Sequence, residues 1–315
     1  MATTTTPTHA ATEPRPTTIL SPTRLSDALG LRITLAAETF QHTGSFKFRA
    51  AYRVATSIPN DEVIAVSSGN FGQAIALACQ LTGKRCTVVM PNNSAAVKVD
   101  AVRSYGATTD LIDTKVISRE DRVAQLVAEH PDAYVASAYD DEFVIDGNST
   151  LGTELAAIAG GFDAVIAPIG GGGLTAGLVK GLRAAGSNIP VYAAEPAIAN
   201  DVAQSFREGH IVKSATEIQT MADGARTRAI GKHNWAILQH GLAAVIEVPE
   251  ASIAEGVRLL FSHANVKAEP TGALGVGALI TDRARFANQH VCVVVTGGNV
   301  DIDRYRNLLG GSNTA

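Results

Sequence analysis

Lys47 stands between two phenylalanines in TGSFKFRA (residues 43–50). Lysine normally keeps its ammonium in water. An amine held among aromatic side chains loses solvation of its charged form, so its pKa falls and it becomes a nucleophile near neutral pH, suited to imine formation with an aldehyde. Taken alone, the pattern fits equally a lysine whose stem lies over an apolar patch. Three further stretches accompany it: AVSSGN (65–70), APIGGGGL (167–174) and VVTGGN (294–299). Each runs from an apolar segment straight into glycine, two of them by way of serine or threonine and on to asparagine. Ligands bind beyond the carboxyl ends of strands in parallel sheets, so the three turns predict one cleft floored by backbone amides and small hydroxyls. Gly170, Gly171, Gly172 and Gly173 precede Leu174 and a helix-forming run, which offers several N–H groups and a positive helix end to an anion such as phosphate. No Gly-Lys-Ser/Thr follows, so this is not a nucleoside-triphosphate loop.

A rival reading uses the same segment. Gly171, Gly173 and Gly177 give GxGxxxG after a strand, and Glu195 ends the next strand about 20 residues on, where a dinucleotide site places its ribose-binding acid. That pattern predicts an NAD-dependent dehydrogenase and leaves Lys47 without a role.

The elements that must position these residues alternate. The strand-like runs VIAVSS (63–68), CTVVMP (86–91), DLID (110–113) and AYVAS (133–137) are separated by stretches of helical period. A second series follows through AVIAPI (164–169), a helix from Gly173, PVYAAEP (190–196), another helix and VCVVVTGGN (291–299). The acids and glycine of YDDEFVIDGN (139–148) read as an interruption between the series, and residues 214–245 show no clear period. Strand–helix alternation of this kind predicts an α/β protein with parallel sheets covered by helices on both faces.

At 315 residues the chain has room for two domains. It is 46% hydrophobic and 18% charged, and its net charge of −4 gives no basic field for nucleic acid. No apolar run reaches the roughly 20 residues that span a bilayer, so no membrane partner is expected. The start, MATTTTPTHAATEPRP, lacks the apolar centre of a secretory signal and reads as a disordered tail. Cys79, Cys86 and Cys292 lie in apolar segments without metal spacing, as small core residues of a cytoplasmic protein.

TGSFKFRA, SSGNFGQA, GGGGL and TGGN, in this order, together with AAEP, ADG and EPTG, resemble the fold-type II pyridoxal-phosphate enzymes, in the serine/threonine dehydratase and serine racemase branch. The resemblance extends from about Ser21 to Leu309 and implies two parallel-sheet domains of tryptophan synthase β type with the cofactor in the cleft between them. Residues 18–58 and 143–315 would form the large cofactor-binding domain and 59–142 the small one, after a tail at 1–17. By that resemblance Lys47 forms the imine with pyridoxal 5'-phosphate, Phe46 packs beside it, and Gly170 to Leu174 cradle its phosphate. Asn70 bonds the ring hydroxyl and Thr296 faces the pyridine nitrogen. Ser67, Ser68 and Gly69 bind the substrate carboxylate, Ser68 being the opposite-face acid/base if the enzyme racemises. Glu195, the carbonyl of Ala199 and Asp201 match a divalent-cation site whose oxygen ligands suit Mg2+ or Ca2+.

A neutral hydroxyl at the pyridine nitrogen favours β-elimination over long-lived carbanion chemistry. The expected activity is therefore dehydration of an amino-acid substrate, L-serine or L-threonine first, to a 2-keto acid and ammonia. The alternatives are a serine or aspartate-type racemase, a hydroxyaspartate dehydratase and a β-replacement synthase. A homodimer is expected, as in many relatives. Three departures fall near the substrate. Phe71 stands where histidine is frequent, Asp140 where asparagine is frequent, and DGNST (146–150) replaces a Gly-Gln-Gly turn. An inward-pointing Asp140 would disfavour an acidic substrate. Glu269 and the Asp223–Gly224 pair are expected to line the pocket.

Overall fold

Apolar β-branched runs become strands, and the amphipathic stretches between them become helices, in the computed structural model, which describes residues 13–310 apart from Ser68, Ala95, Ala159 and Glu217. The chain passes from β1 (Thr18–Leu20) through α1 (Thr23–Leu29) into β2 (Arg32–Ala37) and α2 (Lys47–Ser57). There follow β3 (Glu62–Val66), α3 (Asn70–Thr82), β4 (Arg85–Pro91), α4 (Ala96–Ser104), β5 (Thr108–Ile112), α5 (Arg119–Glu129), β6 (Tyr134–Ala136) and α6 (Glu142–Ala156). Next come β7 (Ala164–Pro168), α7 (Gly173–Ala184), β8 (Val191–Pro196), α8 (Asp201–Glu208), α9 (Lys232–Gly241) and β9 (Leu242–Val248). The remaining elements are α10 (Glu250–Ala264), α11 (Pro270–Thr281), β10 (His290–Val295) and α12 (Ile302–Leu309).

Two sheets result. The smaller is parallel, in the order β5-β4-β3-β6. The larger runs β1-β2-β10-β7-β8-β9 and is parallel except for β1, a three-residue antiparallel edge strand too short to show a period in the sequence. Strand order reverses once in each sheet: β10 enters between β2 and β7, and β6 returns on the side of β3 away from β4. Such reversals open crevices at the carboxyl ends of the strands. Cys79, Cys86 and Cys292 are buried, as their apolar settings predict. Among the described residues no helix is long and apolar enough to cross a membrane.

The structure departs from the sequence reading in three places. The stretch 139–148 is no interruption. Asp141 caps α6 by accepting from the amides of Phe143 and Val144 at 2.8 and 3.3 Å, so the acids that break the apolar period are a cap and a first turn. Residues 214–245 contain α9 and the start of β9, and α9 takes its cap from Asp140, some 92 positions away in sequence, which no local pattern displays. Arg15 and Thr17, assigned to the tail, are anchored: Arg15 exchanges two backbone hydrogen bonds with the Gln41 side chain, and the Thr17 amide donates to Glu154 at 2.7 Å.

Arg49 is the largest fully buried side chain. Its guanidinium donates to both oxygens of Glu38, just after β2, at 2.8 and 2.9 Å, and to both oxygens of Glu154 on α6 at 2.6 and 3.0 Å. A further bond runs to Thr150 Oγ1 at 2.9 Å. This pins the first turn of α2 between the large sheet and α6. Helices α6 and α7 pack at backbone contact, and a Cβ on Gly181 would be driven into the carbonyl oxygen of Ser149. Overpacking a site walled by backbone costs about 1–3 kcal/mol. Gly181→Ala should therefore lower the thermal unfolding midpoint by several degrees, and an unchanged melting curve would show that the two helices have room to part.

Candidate active site

Lys47 is the first residue of α2, and the segment before it is tightly held. Thr43 and Gly44 both have positive φ (60° and 72°), an unusual conformation for threonine that turns the chain sharply. Ser45 then bridges Gly297, the Phe46 amide donates to the Thr296 carbonyl at 3.0 Å, and the Gly298 amide donates to the Gly44 carbonyl at 3.0 Å. Two of the sequence-predicted motifs are thus zipped together beyond β10.

The Lys47 amine donates to the Ala138 carbonyl at 2.5 Å. Its Nζ lies 5.0 Å from the ring centre of Phe46 and 5.7 Å from that of Phe71. The two aromatic neighbours are therefore Phe46 and Phe71. Phe48, adjacent to the lysine in sequence, is carried by the helix into the core beneath the small sheet, where it packs on His42 and Tyr52. Burial lowers the Lys47 pKa from 10.5 to about 8, against the opposing pull of Glu269.

The cleft around this amine has a volume of about 580 Å3 and sits at both sheet reversals. It brings together Phe46, Lys47, Ser67, Gly69, Asn70, the four glycines 170–173, Leu174 and Thr296. Ser68, the expected acid/base, lies outside the described residues. Gly172, at φ 94°, turns the chain into α7, and no side chain caps that helix, so amides of its first turn remain for a ligand. The Tyr139 ring lies where a Cβ on Gly171 would sit, and the backbone of Tyr139 leaves no room for one on Gly173. Asn148, in the altered 146–150 turn, donates to the Gly173 carbonyl at 3.1 Å, and Asn234 donates to Gly171 at 2.7 Å, so the loop is braced from both sides. Thr296 Oγ1 is buried without a partner. A buried lysine amine, an anion cradle at a helix end and an unpaired hydroxyl fit the aldehyde, phosphate and pyridine nitrogen of pyridoxal phosphate.

Glu269 and Asp223 line the cleft as expected, and burial raises the Glu269 carboxyl to about 7. Three cations that the sequence reading did not single out line it too: Lys98, Arg119 and Arg226. Lys98 lies 3.6 Å from Asp223, and Arg226 donates to the Thr220 carbonyl at 2.9 Å. Arg119 pairs with no carboxylate among the described residues. In sequence each is an isolated basic residue of ordinary surface type. Only closure of the small sheet over the large one shows where they point.

Asp140 does not point inward. Its carboxylate accepts from the amides of Lys232 and His233 at 3.0 and 2.9 Å, so its objection to an acidic substrate falls away. The dinucleotide reading fails on its acid. Glu195 is buried with both oxygens accepting from the amides of Val202 and Ala203 at 2.9 Å, leaving it no route to a ribose. Gly177 serves helix packing, since a Cβ there would meet the Ile145 carbonyl oxygen at 2.7 Å.

Glu195 at the end of β8, Ala199 and Asp201 at the start of α8 lie outside the cleft lining. Among the described residues no group of three or more His, Cys, Asp and Glu is gathered as a metal site. Asp201 Oδ2 is nevertheless buried without a partner, and burial raises its carboxyl to about 6 and that of Glu195 well above its ordinary value. Two desolvated carboxyls with an orphaned oxygen are a donor set that fits a hard cation.

The chain matches the family described as "Pyridoxal-phosphate dependent enzyme" over residues 11–297. It is 36% identical over 299 residues to the L-threo-3-hydroxyaspartate ammonia-lyase of Pseudomonas sp, covering 94% of this chain and 93% of the relative. Among solved structures, a threonine deaminase from T.th. superposes with a TM-score of 0.86 at 37% identity, over 91% of this chain and 94% of that one. Maize serine racemase superposes equally well, at 0.86 and 30% identity, over 93% and 91%.

A lysine that titrates near 8 carries a neutral, nucleophilic amine above that pH and an ammonium below it. Trapping of a small aldehyde on Lys47 with borohydride, followed by peptide mass spectrometry, should rise with pH and level off just above 8. Exposed lysines should continue to gain up to about 10.4. A Lys47 profile that still climbs with theirs would mean that the amine is solvated.

Proposed function

We propose that this chain, which belongs to the pyridoxal-phosphate dependent enzymes, is a lyase that dehydrates 3-hydroxyaspartate and releases ammonia and a 2-keto acid. The observation that carries the substrate is Arg119, a cation in the cleft wall with no carboxylate partner among the described residues, in a cleft that Lys98 and Arg226 also line. L-Serine and L-threonine, placed first by the sequence, bring no side-chain charge to such a wall. 3-Hydroxyaspartate brings a second carboxylate, for which guanidinium is the matching planar donor. The outward turn of Asp140 and the activity named for the Pseudomonas relative support the same choice. The racemase reading rests on Ser68, outside the described residues, and no other observation favours it.

In this reading Lys47 holds the cofactor, the amides of Gly170, Gly171, Gly172, Gly173 and Leu174 hold its phosphate, Asn70 meets the ring hydroxyl, and Thr296 meets the ring nitrogen. When bound, the cofactor supplies the sink for the electron pair left at Cα. Ser67, Gly69 and Ser68 grip the α-carboxylate. Arg119 grips the β-carboxylate, which fixes the Cα–H bond towards Lys47. Once the substrate's own amine has replaced it on the cofactor, the Lys47 amine, with its pKa near 8, takes that proton beside the Ala138 carbonyl. The Lys47 ammonium then gives that proton to the β-hydroxyl, which departs as water, and Phe46, Phe71 and Tyr139 screen the reacting atoms from solvent. Glu195, Asp201 and the Ala199 carbonyl would hold a divalent cation, whose charge would neutralise two buried carboxyls and tie α8 to the end of β8.

The deciding measurement is ammonia release, as kcat/KM, from L-threo-3-hydroxyaspartate and from L-serine. A charge-assisted bond contributes about 1.5–3 kcal/mol, so the diacid should be preferred about 10- to 100-fold and Arg119→Met should remove most of that preference. Equal or better turnover of serine by the wild-type protein would overturn the assignment. For the cation, millimolar Mg2+ or Ca2+ should raise the melting temperature of the wild-type protein and leave Asp201→Asn unmoved. The same response in both would place the cation elsewhere.

A further inference from the structure

Asn70 belongs to a chain of hydrogen bonds whose directions are forced. Asn299 Nδ2 donates to the Thr43 carbonyl at 2.7 Å and to Asn70 Oδ1 at 2.9 Å. A backbone carbonyl can only accept, so the nitrogen end of Asn299 must face Thr43, and the same nitrogen then requires an oxygen from Asn70. The Asn70 nitrogen is thereby turned the other way, where it donates to Glu269 Oε1 at 2.7 Å. Both ends of the Asn70 amide are now assigned, and one of its N–H groups is left over. Asn70 and Glu269 line the cleft, whereas Asn299 does not and sits behind Asn70 at the Lys47 turn.

We propose that Asn299 and Glu269 are positioning residues that lock the Asn70 amide with its nitrogen towards the cleft, so that Asn70 meets the ring hydroxyl oxygen of the cofactor only as a donor and holds that oxygen as the oxyanion. The inference rests on the reading that places Asn70 at the ring hydroxyl. A free asparagine presents either its carbonyl or its amine to a hydroxyl, and the two ends favour opposite protonation states of the oxygen they touch. A donor to an oxyanion makes the stronger, charge-assisted bond. The lock draws its parts from three segments: Thr43 from the strained turn before Lys47, Asn70 from the first residue of α3, and Glu269 from the residue before α11. Glu269 acts here as an acceptor, and a neutral amide oxygen keeps that direction through a weaker bond. The same bonds also fix the Thr43 turn, so the cofactor lysine and the ring-oxygen donor are held by one side chain.

The test is a pH titration of the visible absorption of the pyridoxal-phosphate-loaded protein, which separates the ring-hydroxyl from the ring-oxyanion form, alongside the dissociation constant for pyridoxal phosphate and the melting temperature of the unloaded protein. Asn299→Ala should raise the apparent pKa of the ring hydroxyl by about one unit or more, in the direction of Asn70→Ala, and weaken cofactor binding. Asn299→Asp, nearly the same size but unable to donate to Thr43, should do the same and serves if the alanine variant folds poorly. Glu269→Gln and Glu269→Leu lose the same negative charge, but only the first keeps an acceptor oxygen, so the leucine variant should titrate higher than the glutamine one, and equal titrations would remove Glu269 from the lock. A shifted titration in Asn70→Ala with a wild-type titration in both Asn299 variants would overturn the lock and leave the placement of Asn70 standing. A wild-type titration in Asn70→Ala itself would overturn that placement, and the lock with it.

Discussion

The buried guanidinium of Arg49 is the constraint on which the geometry of the site depends. A charged group taken fully out of water is tolerated only when its donors are satisfied, and losing one partner of such a pair costs about 3–5 kcal/mol. Arg49 meets that condition with Glu38 at the end of β2, Glu154 and Thr150 on α6, and the Arg15 carbonyl in the N-terminal segment. None of these elements can shift without exposing an unpaired charge. Lys47 lies two residues earlier on the same helix, so the reactive amine inherits its position from an ion-pair network that never touches the cleft. The zipper between residues 44–46 and 296–298 fixes the other side of the lysine.

With that anchor in place, the two sheet reversals do the rest. Each leaves a crevice at the carboxyl ends of its strands, and the turns after β3, β6, β7 and β10 all empty into the same space. The division of labour follows from chemistry. The large sheet supplies a helix end for an anion, an unpaired threonine hydroxyl and a buried carboxyl. The small sheet and its helices supply the serine turn and two of the three cations, Lys98 and Arg119. Groups proposed to hold the body of the cofactor sit mainly on one side, and those proposed to read the substrate's second charge sit mainly on the other.

Parts of this were legible in the sequence, for identifiable reasons. Glycine turns at strand ends and apolar β-branched runs are local signals, and TGSFKFRA, SSGN, GGGGL and TGGN were enough to place Lys47, Asn70, the glycine cradle and Thr296 in one cleft. The actual aromatic neighbours of Lys47 were not legible, because sequence adjacency suggested Phe48, while a helix sends successive residues about 100° apart and the first turn of α3 supplies Phe71. The direction of Asp140 was not legible for a related reason: its partners are amides of α9, some 92 positions along the chain. A lone Arg119 or Lys98 has no local mark that separates a cleft cation from a solvated one.

The sequence by itself determined the chemistry available, namely an amine that burial can activate, an anion cradle and a neutral hydroxyl, because those depend on residue type and on short-range spacing. Only the tertiary structure decided which way Asn70 presents its amide, which acid is a cap and which lines the cleft, and which cations line it too. Those are set by contacts between segments tens to hundreds of residues apart, where hydrogen-bond direction and desolvation act through space and leave no periodic trace along the chain.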